Sequence, residues 1–199
     1  MGLEIRDLRP ELWPELEALF GKNGACGGCW CMFWRLEQGE RYSALQGPAL
    51  KRRFKARVKR GDVLGAIAFA DGEPAGWVTY GPRLSFPRLA RARTLACDDA
   101  DRVWSVPCFF VRRGFRGRGV ASALLAHALG RMAERGAPLV EAYPVKPTRD
   151  GRPMPDAFAY TGTVAMFDRA GFTLAGSTAH ARARMRRRLG ARPASTRTR

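Results

Sequence analysis

The sequence predicts one domain of the α/β class, in the α+β arrangement: a mixed, mostly antiparallel sheet of about seven strands with helices on both faces. The chain has 199 residues, enough for one hydrophobic core. Short strand-like segments are interleaved with segments of helical period. No repeat or second domain is evident, so residues 1–189 are expected to form the domain and residues 190–199 a disordered basic tail.

The elements are expected in the order β-α-α-β-β-β-α-β-α-β-β. In the first half, the patterns predict a strand at 3–9, a helix in PELWPELEALF, a basic helix at about 48–60, and strands in VLGAIAFA and PAGWVTYG, joined by the hairpin signal DGEP. Residues 82–101 show no clear period and are interpreted as a surface loop.

The second half begins with a strand at 102–111. Pro107 cannot donate to a strand ladder, so this strand is expected to be bulged. The patterns then predict a helix ending at Gly136, a strand in PLVEAYPV, a loop in KPTRDGRPMPD, a helix in TGTVAMFDRAG capped by Thr161 or Thr163, and strands in FTLAGS and at 181–189.

The net charge is +17, from 35 Lys and Arg against 18 Asp and Glu. Such a charge favours anionic partners, although many of these arginines can simply be solvated. In the last strand, arginines alternate with apolar residues, which gives the segment Arg182–Arg188 one arginine face. Nucleic acid is therefore an alternative partner through this face.

No apolar run is long enough to span a membrane, and the N-terminus carries charges where a signal peptide needs apolar residues. These features predict a cytoplasmic protein. The chain has five cysteines, three of them in CGGCWC at 26–31. An odd number crowded in this way is not a secreted disulfide framework.

The most informative stretch is RGFRGRGVASALL, at 113–125. A P-loop would need lysine where Val120 stands, and a dinucleotide fingerprint would need glycine at Ser122. RGRGVA, at 116–121, instead fits R-x-x-G-x-A between a bulged strand and a helix. It resembles the pyrophosphate loop of the GNAT N-acetyltransferase superfamily. MFDRAGF, at 166–172, and the element order extend the resemblance over nearly the whole chain.

The resemblance implies an acetyltransferase that moves an acetyl group from its co-substrate acetyl-CoA to an amine of a small molecule or peptide by direct attack, with no metal. The sheet would splay at the bulged strand 102–111, and acetyl-CoA would lie in the gap. Backbone N–H groups at a helix N-terminus suit its pyrophosphate. The implied cofactor-binding residues are Phe109, Phe110, Val111, Arg116, Gly117, Arg118, Gly119, Val120, Ala121 and Ser122.

The family usually has a tyrosine as proton donor four residues before Gly-Phe, but this chain has Phe167 there. Tyr160, at the entry to the same helix, is the proposed replacement, with Tyr143 as a second candidate. Glu141, a carboxylate in an apolar strand beside the acetyl site, is the candidate general base.

The cysteine segment at 26–31 has three interpretations. Cys26, Cys29 and Cys31 could bind zinc or act as redox thiols, but packing as small buried residues is favoured. In the resembled fold this segment helps to wall the acceptor pocket, so Trp30, Met32, Phe33 and Trp34 are predicted to line it. Such a wall suits an apolar or aromatic amine, or a cation held over a ring.

A rival hypothesis remains open, in which the chain is a non-catalytic acyl-CoA-binding or nucleic-acid-binding regulatory module. Phe167 and the arginine face at Arg182–Arg188 both support it. Pairing into a homodimer through the late strands is a further open alternative.

Overall fold

The computed structural model describes residues 2–145, 148–149, 152–153, 160–176 and 182–190. Seven strands form one sheet in the spatial order β1-β2-β3-β4-β5-β9-β8, and β6 and β7 pair separately. The strands are β1 Leu3–Asp7, β2 Leu64–Ala70, β3 Glu73–Pro82, β4 Val103–Val111, β5 Leu139–Ala142, β6 Thr148–Arg149, β7 Arg152–Pro153, β8 Thr173–Leu174 and β9 Met185–Arg188. The predicted seven-stranded mixed sheet is confirmed.

Six α-helices accompany the strands within the described residues. They are α1 Trp13–Phe20, α2 Tyr42–Leu45, α3 Pro48–Lys59, α4 Pro87–Arg91, α5 Val120–Glu134 and α6 Val164–Arg169. Among the described residues, no helix has the length and apolar character needed to cross a bilayer.

The sheet has two buried faces, as the sequence predicts. On one face, Leu16 of α1 and Phe54 of α3 pack towards Trp77 of β3. On the other, Leu124 of α5 and Phe167 of α6 share a core with Val78 of the same strand. Adjacent residues of β3 point to opposite faces, so this strand carries both cores.

The hairpin between β2 and β3 follows the predicted DGEP signal. Ala70 pairs with Glu73, which leaves Asp71 and Gly72 as a two-residue turn. Both turn residues have positive φ, 49° and 87°, as in a type I′ turn.

The centre of the sheet opens at β4. Strand β4 is parallel to β5, but their pairing ends at Val106 opposite Ala142. Opposite Tyr80 of β3, strand β4 carries two residues, Val106 and Pro107. The predicted bulge at Pro107 is therefore present, and beyond it β4 continues without β5 beside it.

One prediction about local structure was wrong. Residues 82–101 contain short helical turns at Arg83–Ser85 and Arg93–Leu95 as well as α4. Three apolar side chains of this segment, Phe86, Leu89 and Leu95, are buried. These helical turns are too short to show a hydrophobic period in the sequence, so the sequence alone indicates a surface loop. Its buried side chains nevertheless cover part of the core.

Candidate active site

A cleft of about 1430 Å³ lies where β4 extends beyond β5. We call it the main cleft. It is lined by Phe109, Phe110 and Val111 of β4, by the loop and first turn leading into α5, and by residues before and within α6. Val145, which follows β5, pairs instead with Thr163 and Arg182, so the chain after β5 leads away from β4 and brings the segment around Tyr160 to the opening.

The loop before α5 is open to a ligand. Gly117 and Gly119 have φ of 71° and 81°, and a Cβ added to either would meet no atom within 4 Å. Gly119 is the N-cap of α5, whose first-turn N–H groups have no carbonyl partner within the helix. Lys22, Arg116 and Arg169 also line the main cleft, and none of the described lining residues is acidic. This arrangement fits a phosphate-bearing ligand.

A second, smaller pocket of about 220 Å³ adjoins the main cleft, and we call it the aromatic pocket. The two share Ala25, Cys26, Gly27, Phe109, Phe110 and Tyr160. The remaining residues of the aromatic pocket are Phe20, Cys29, Cys31, Phe33, Trp34, Tyr42, Trp77 and Cys108. Four of the five cysteines of the chain therefore lie around one small pocket.

The cysteine segment forms the floor of this pocket through an unusual backbone. Ala25, Trp30 and Cys31 have positive φ, which is uncommon outside glycine. The Trp77 indole donates to Cys31 Sγ at 3.2 Å, and the Tyr42 hydroxyl donates to the Gly27 carbonyl. Within the part of the chain that the structure describes, no three His, Cys, Asp or Glu side chains are grouped to hold a metal, and no cysteine is in a disulfide.

Tyr160 stands at the junction of the main cleft and the aromatic pocket. Arg182 Nη2 donates to the Tyr160 hydroxyl oxygen at 2.8 Å, which leaves the hydroxyl proton available for another acceptor. Burial raises the pKa of Tyr160 to about 12, and the nearby Arg182 charge partly opposes this shift. The group therefore keeps its proton at neutral pH.

Phe167 lines neither cavity. Its ring is fully buried and packs edge-on against Phe109 and Phe172, with centroid distances of 6.1 and 5.1 Å. Gly162, which does line the main cleft, lies against it: a Cβ added there would be 3.2 Å from Phe167 Cζ. The side chain at the family's usual tyrosine position thus belongs to the core.

Glu141 lies in a buried ionic cluster rather than in the lining of either cavity. Its two carboxylate oxygens accept from Arg83 Nη1 and Arg186 Nε, each at 2.7 Å. Arg83 also donates to the Tyr143 hydroxyl, and Arg186 holds Asp99 with two further bonds. The cluster ties β5 to β9 and to the segment 83–99.

The structure brings most of the predicted ligand-binding residues together. Phe109, Phe110, Val111, Arg116, Gly117, Gly119, Val120, Ala121 and Ser122 line the main cleft, whereas Arg118 does not. Of the predicted acceptor wall, Phe33 and Trp34 line the aromatic pocket. Trp30 and Met32 are buried in the core beneath it, where Trp30 stacks on Trp13 with a centroid distance of 6.0 Å.

Sequence reasoning missed the partner of Tyr160. Arg182 sits in the arginine row, where the alternating pattern indicated only an exposed face. It also missed Lys22, Arg169 and Tyr42, whose positions around the cavities depend on loop paths. The alternating arginines at Arg182–Arg188 were the one signal for Arg182, because the arginines on one face of a strand can point inward where hydrogen-bond acceptors lie opposite.

The comparisons with known proteins agree with this architecture. A model of the acetyltransferase (GNAT) family matches residues 30–151, more than half of the chain. The chain belongs to the acetyltransferase (GNAT) family. No curated protein matches this GNAT member's sequence.

Solved structures of other GNAT proteins share the fold at low sequence identity. YncA of Salmonella typhimurium, a putative acetyltransferase solved with acetyl-CoA, is 12% identical, with a TM-score of 0.56 and 98% of each chain covered. A phosphinothricin acetyltransferase of Sinorhizobium meliloti, solved with acetyl-CoA, is 15% identical, with a TM-score of 0.55 and coverage of 96% of this chain and 90% of that one. PaiA of Thermoplasma acidophilum, solved with coenzyme A, is 15% identical, with a TM-score of 0.54 and coverage of 95% and 100%.

Proposed function

We propose that the protein is an acetyl-CoA-dependent N-acetyltransferase that acts on an amine. The observation that carries this proposal is the continuity of the two cavities. The main cleft has a phosphate-compatible loop at the start of α5, the aromatic pocket opens from it, and Tyr160 lines both. A thioester held along β4 would meet an acceptor from the aromatic pocket beside a proton donor.

The residues of the main cleft fit acetyl-CoA. Backbone N–H groups of Gly119, Val120 and Ala121 would hold its pyrophosphate, with Arg116 and Lys22 adding positive charge. The pantetheine arm would lie along Phe109–Val111, where β4 has no β5 partner. Two structural neighbours were solved with acetyl-CoA, which supports the same ligand here.

The chemistry needs no enzyme nucleophile. The amine nitrogen attacks the thioester carbonyl, an N–C bond forms, and the C–S bond breaks. Tyr160 would give its proton to the departing sulfur, and the nitrogen releases a proton of its own. Arg182 would orient the Tyr160 hydroxyl through the 2.8 Å bond, which makes Arg182 a positioning residue.

For Glu141 we propose a structural role in place of the general base suggested by the sequence. One oxygen already accepts from the buried Arg83 and the other from the partly exposed Arg186, and the side chain lines neither cavity. Removing a proton from an amine would need an oxygen that reaches the acceptor. Glu141 instead keeps β5 and β9 together behind the opening of the sheet.

The alternative of a nucleic-acid-binding module has little support from the arginine row. Arg182 donates to Tyr160 and Thr161, and Arg184 donates to the carbonyls of Ala96 and Ala175. Arg186 donates to the carboxylates of Glu141 and Asp99. These guanidiniums hold the protein's own structure. A salt series would detect nucleic-acid binding, which should weaken steeply as salt rises.

The proposed activity is tested by incubating the protein with acetyl-CoA and a panel of amines while following the release of free thiol. We expect thiol release that depends on at least one amine and exceeds the rate without acceptor. Acetyl-CoA binding without release for any amine class would favour the non-catalytic alternative.

A further inference from the structure

The described lining of the aromatic pocket contains no carboxylate, lysine, arginine or histidine side chain. Its lining consists of eight aromatic residues, four cysteines, Ala25 and Gly27, all within the described part of the chain. The general base expected of an enzyme that acetylates alkylamines is missing from this lining. An alkylamine has a pKa near 10 and is almost wholly protonated at pH 7, so it would have to lose a proton before it could attack.

The surroundings of the pocket also disfavour a charged ligand. Burial raises the pKa of the Cys29 thiol to about 11, because the low-polarity environment penalises the charged form. The Cys31 thiol differs: burial acts on it in the same direction, but hydrogen bonds from Cys108 and Trp77 and the Arg35 charge outweigh burial and lower its pKa. The same desolvation acts on an ammonium ion entering the pocket, where it would favour the neutral amine.

Two arginines stand behind the pocket walls. The guanidinium of Arg88 lies 3.9 Å from the Phe33 ring centroid, and that of Arg182 lies 5.0 and 5.7 Å from the centroids of Tyr160 and Trp34. Neither arginine lines the pocket. They already interact with the aromatic rings as cations, so a second cation on the pocket side would be repelled across one ring.

We propose that the acceptor is a weakly basic aromatic amine of the aniline type, neutral at physiological pH, and that the aromatic pocket selects it over alkylammonium ions. This inference rests on the proposed acetyltransferase function. The pocket, at about 220 Å³, is below the roughly 300–1,000 Å³ of sites for drug-sized ligands. It therefore suits one aromatic ring with small substituents.

An arylamine removes the need for a base before the attack. Its nitrogen lone pair is available at pH 7, so the N–C bond can form as the C–S bond breaks. The nitrogen becomes acidic only after the attack and then releases its proton, while the sulfur takes the proton of Tyr160. The products are the N-aryl acetamide and coenzyme A, and the released proton restores Tyr160.

Two isomers give a matched test, since 4-methylaniline and benzylamine have the same atoms and nearly the same size. We expect kcat/KM at pH 7 to be at least about tenfold higher for 4-methylaniline, because benzylamine is mostly charged. From about pH 6 to 9 the value for 4-methylaniline should stay flat, whereas that for benzylamine should rise by up to about tenfold per pH unit. A preference for benzylamine at pH 7 would overturn the inference and leave the proposed acetyltransferase function standing.

A substitution at the junction of the cavities tests the missing carboxylate directly. Cys26 lines both cavities and is only half-buried. In Cys26→Asp the selectivity at pH 7 should move towards benzylamine by about tenfold or more, since a carboxylate can pair with the ammonium and accept its proton. Cys26→Asn is the neutral control of matched shape and should keep the wild-type preference. If both variants shift selectivity equally, the charge argument is wrong.

Binding separates this inference from the failure of catalysis. Trp34 and Trp77 line the pocket, so quenching of tryptophan fluorescence by each isomer can be titrated in the presence of coenzyme A. If no amine is acetylated but 4-methylaniline binds at least about tenfold more tightly than benzylamine, the proposed activity falls and the pocket's selectivity stands. Equal or reversed affinities would contradict the inference whether or not the protein is catalytic.

Discussion

Tyr160 lines both cavities, and replacing it with phenylalanine removes the hydroxyl while keeping the ring. In Tyr160→Phe we expect kcat to fall by about 10²–10⁴-fold, the usual value of general acid help, with acetyl-CoA affinity nearly unchanged. Tyr80→Phe is a suitable control, since Tyr80 is also buried but lines neither cavity. If Tyr160→Phe changes kcat by less than about threefold, solvent protonates the thiolate and the acid role is withdrawn.

The pKa of Tyr160 sets the pH range in which it can act. Because burial raises this pKa to about 12, the hydroxyl remains protonated, and able to donate, below that pH. We therefore expect kcat for a neutral acceptor to show no alkaline decline up to about pH 10, which lies well below this pKa. If kcat declines with an apparent pKa near 8 and this decline disappears in Tyr160→Phe, the raised pKa of Tyr160 is contradicted.

Glu141 allows structural and catalytic roles to be told apart. Glu141→Gln leaves Arg83 buried without its charge partner, which should lower the free energy of unfolding by about 3–5 kcal/mol in urea denaturation. Glu4→Gln breaks an exposed ion pair with Arg6 and should have no measurable effect. A Glu141→Gln protein of wild-type stability that has lost activity would instead support the base predicted from the sequence.

At the scale of elements, the contact between β3 and α5 sets the position of the loop before α5. Gly76 of β3 is buried, and a Cβ added there would lie 2.7 Å from Val120 Cγ1 and 3.0 Å from Leu124 Cδ1. We expect Gly76→Ala to lower the free energy of unfolding by about 1–3 kcal/mol through overpacking. It should also weaken acetyl-CoA binding, because Val120 begins α5 and lines the main cleft.

Gly130→Ala is the matched control for this contact. Gly130 is an exposed residue within α5, and a Cβ there meets no atom within 4 Å. It should stabilise the protein by up to about 1 kcal/mol, because alanine favours the helix, and leave ligand affinity unchanged. Equal behaviour of the two variants in chemical denaturation would show that β3 and α5 do not meet as described.

The elements also show where sequence reasoning succeeds. The bulge at Pro107 and the start of α5 after Gly119 were predictable because each follows from local chemistry: a missing N–H, and a glycine with positive φ. The direction in which the arginine face at Arg182–Arg188 points was not predictable. Period two separates the two faces of β9 but does not say which face meets Glu141, and this depends on a partner 45 residues away.

Across the whole molecule, the sheet and its opening were predictable from the sequence. Which residues come together around the aromatic pocket was harder to predict. The glycine loop and β4 are close in sequence, so one motif locates both. The aromatic pocket instead joins residues from α1, the cysteine segment, β3, β4 and the turn at Tyr160. Such a pocket depends on loop paths, and no short pattern encodes them. This is why Phe33 and Trp34 line the aromatic pocket while Trp30 and Met32 lie in the core.

We expect the main cleft to bind acetyl-CoA through the loop at the start of α5. At about 100 times its Kd, acetyl-CoA should stabilise the protein by about 2.7 kcal/mol, or roughly 5–10 °C in a chain of this length. Gly119→Glu places bulk and negative charge at the proposed pyrophosphate site and should abolish the shift. Gly136→Glu is the matched control, because both glycines have positive φ and open space around an added Cβ, but Gly136 follows the other end of α5.

The decisive measurement is therefore the shift in Tm caused by acetyl-CoA in the wild-type protein, Gly119→Glu and Gly136→Glu, each compared with its own ligand-free Tm. We expect a shift of several degrees in the wild-type protein and in Gly136→Glu, and none in Gly119→Glu. A wild-type protein with no shift would show that acetyl-CoA does not bind, and a Gly119→Glu protein with the full shift would show that it does not bind at the loop before α5.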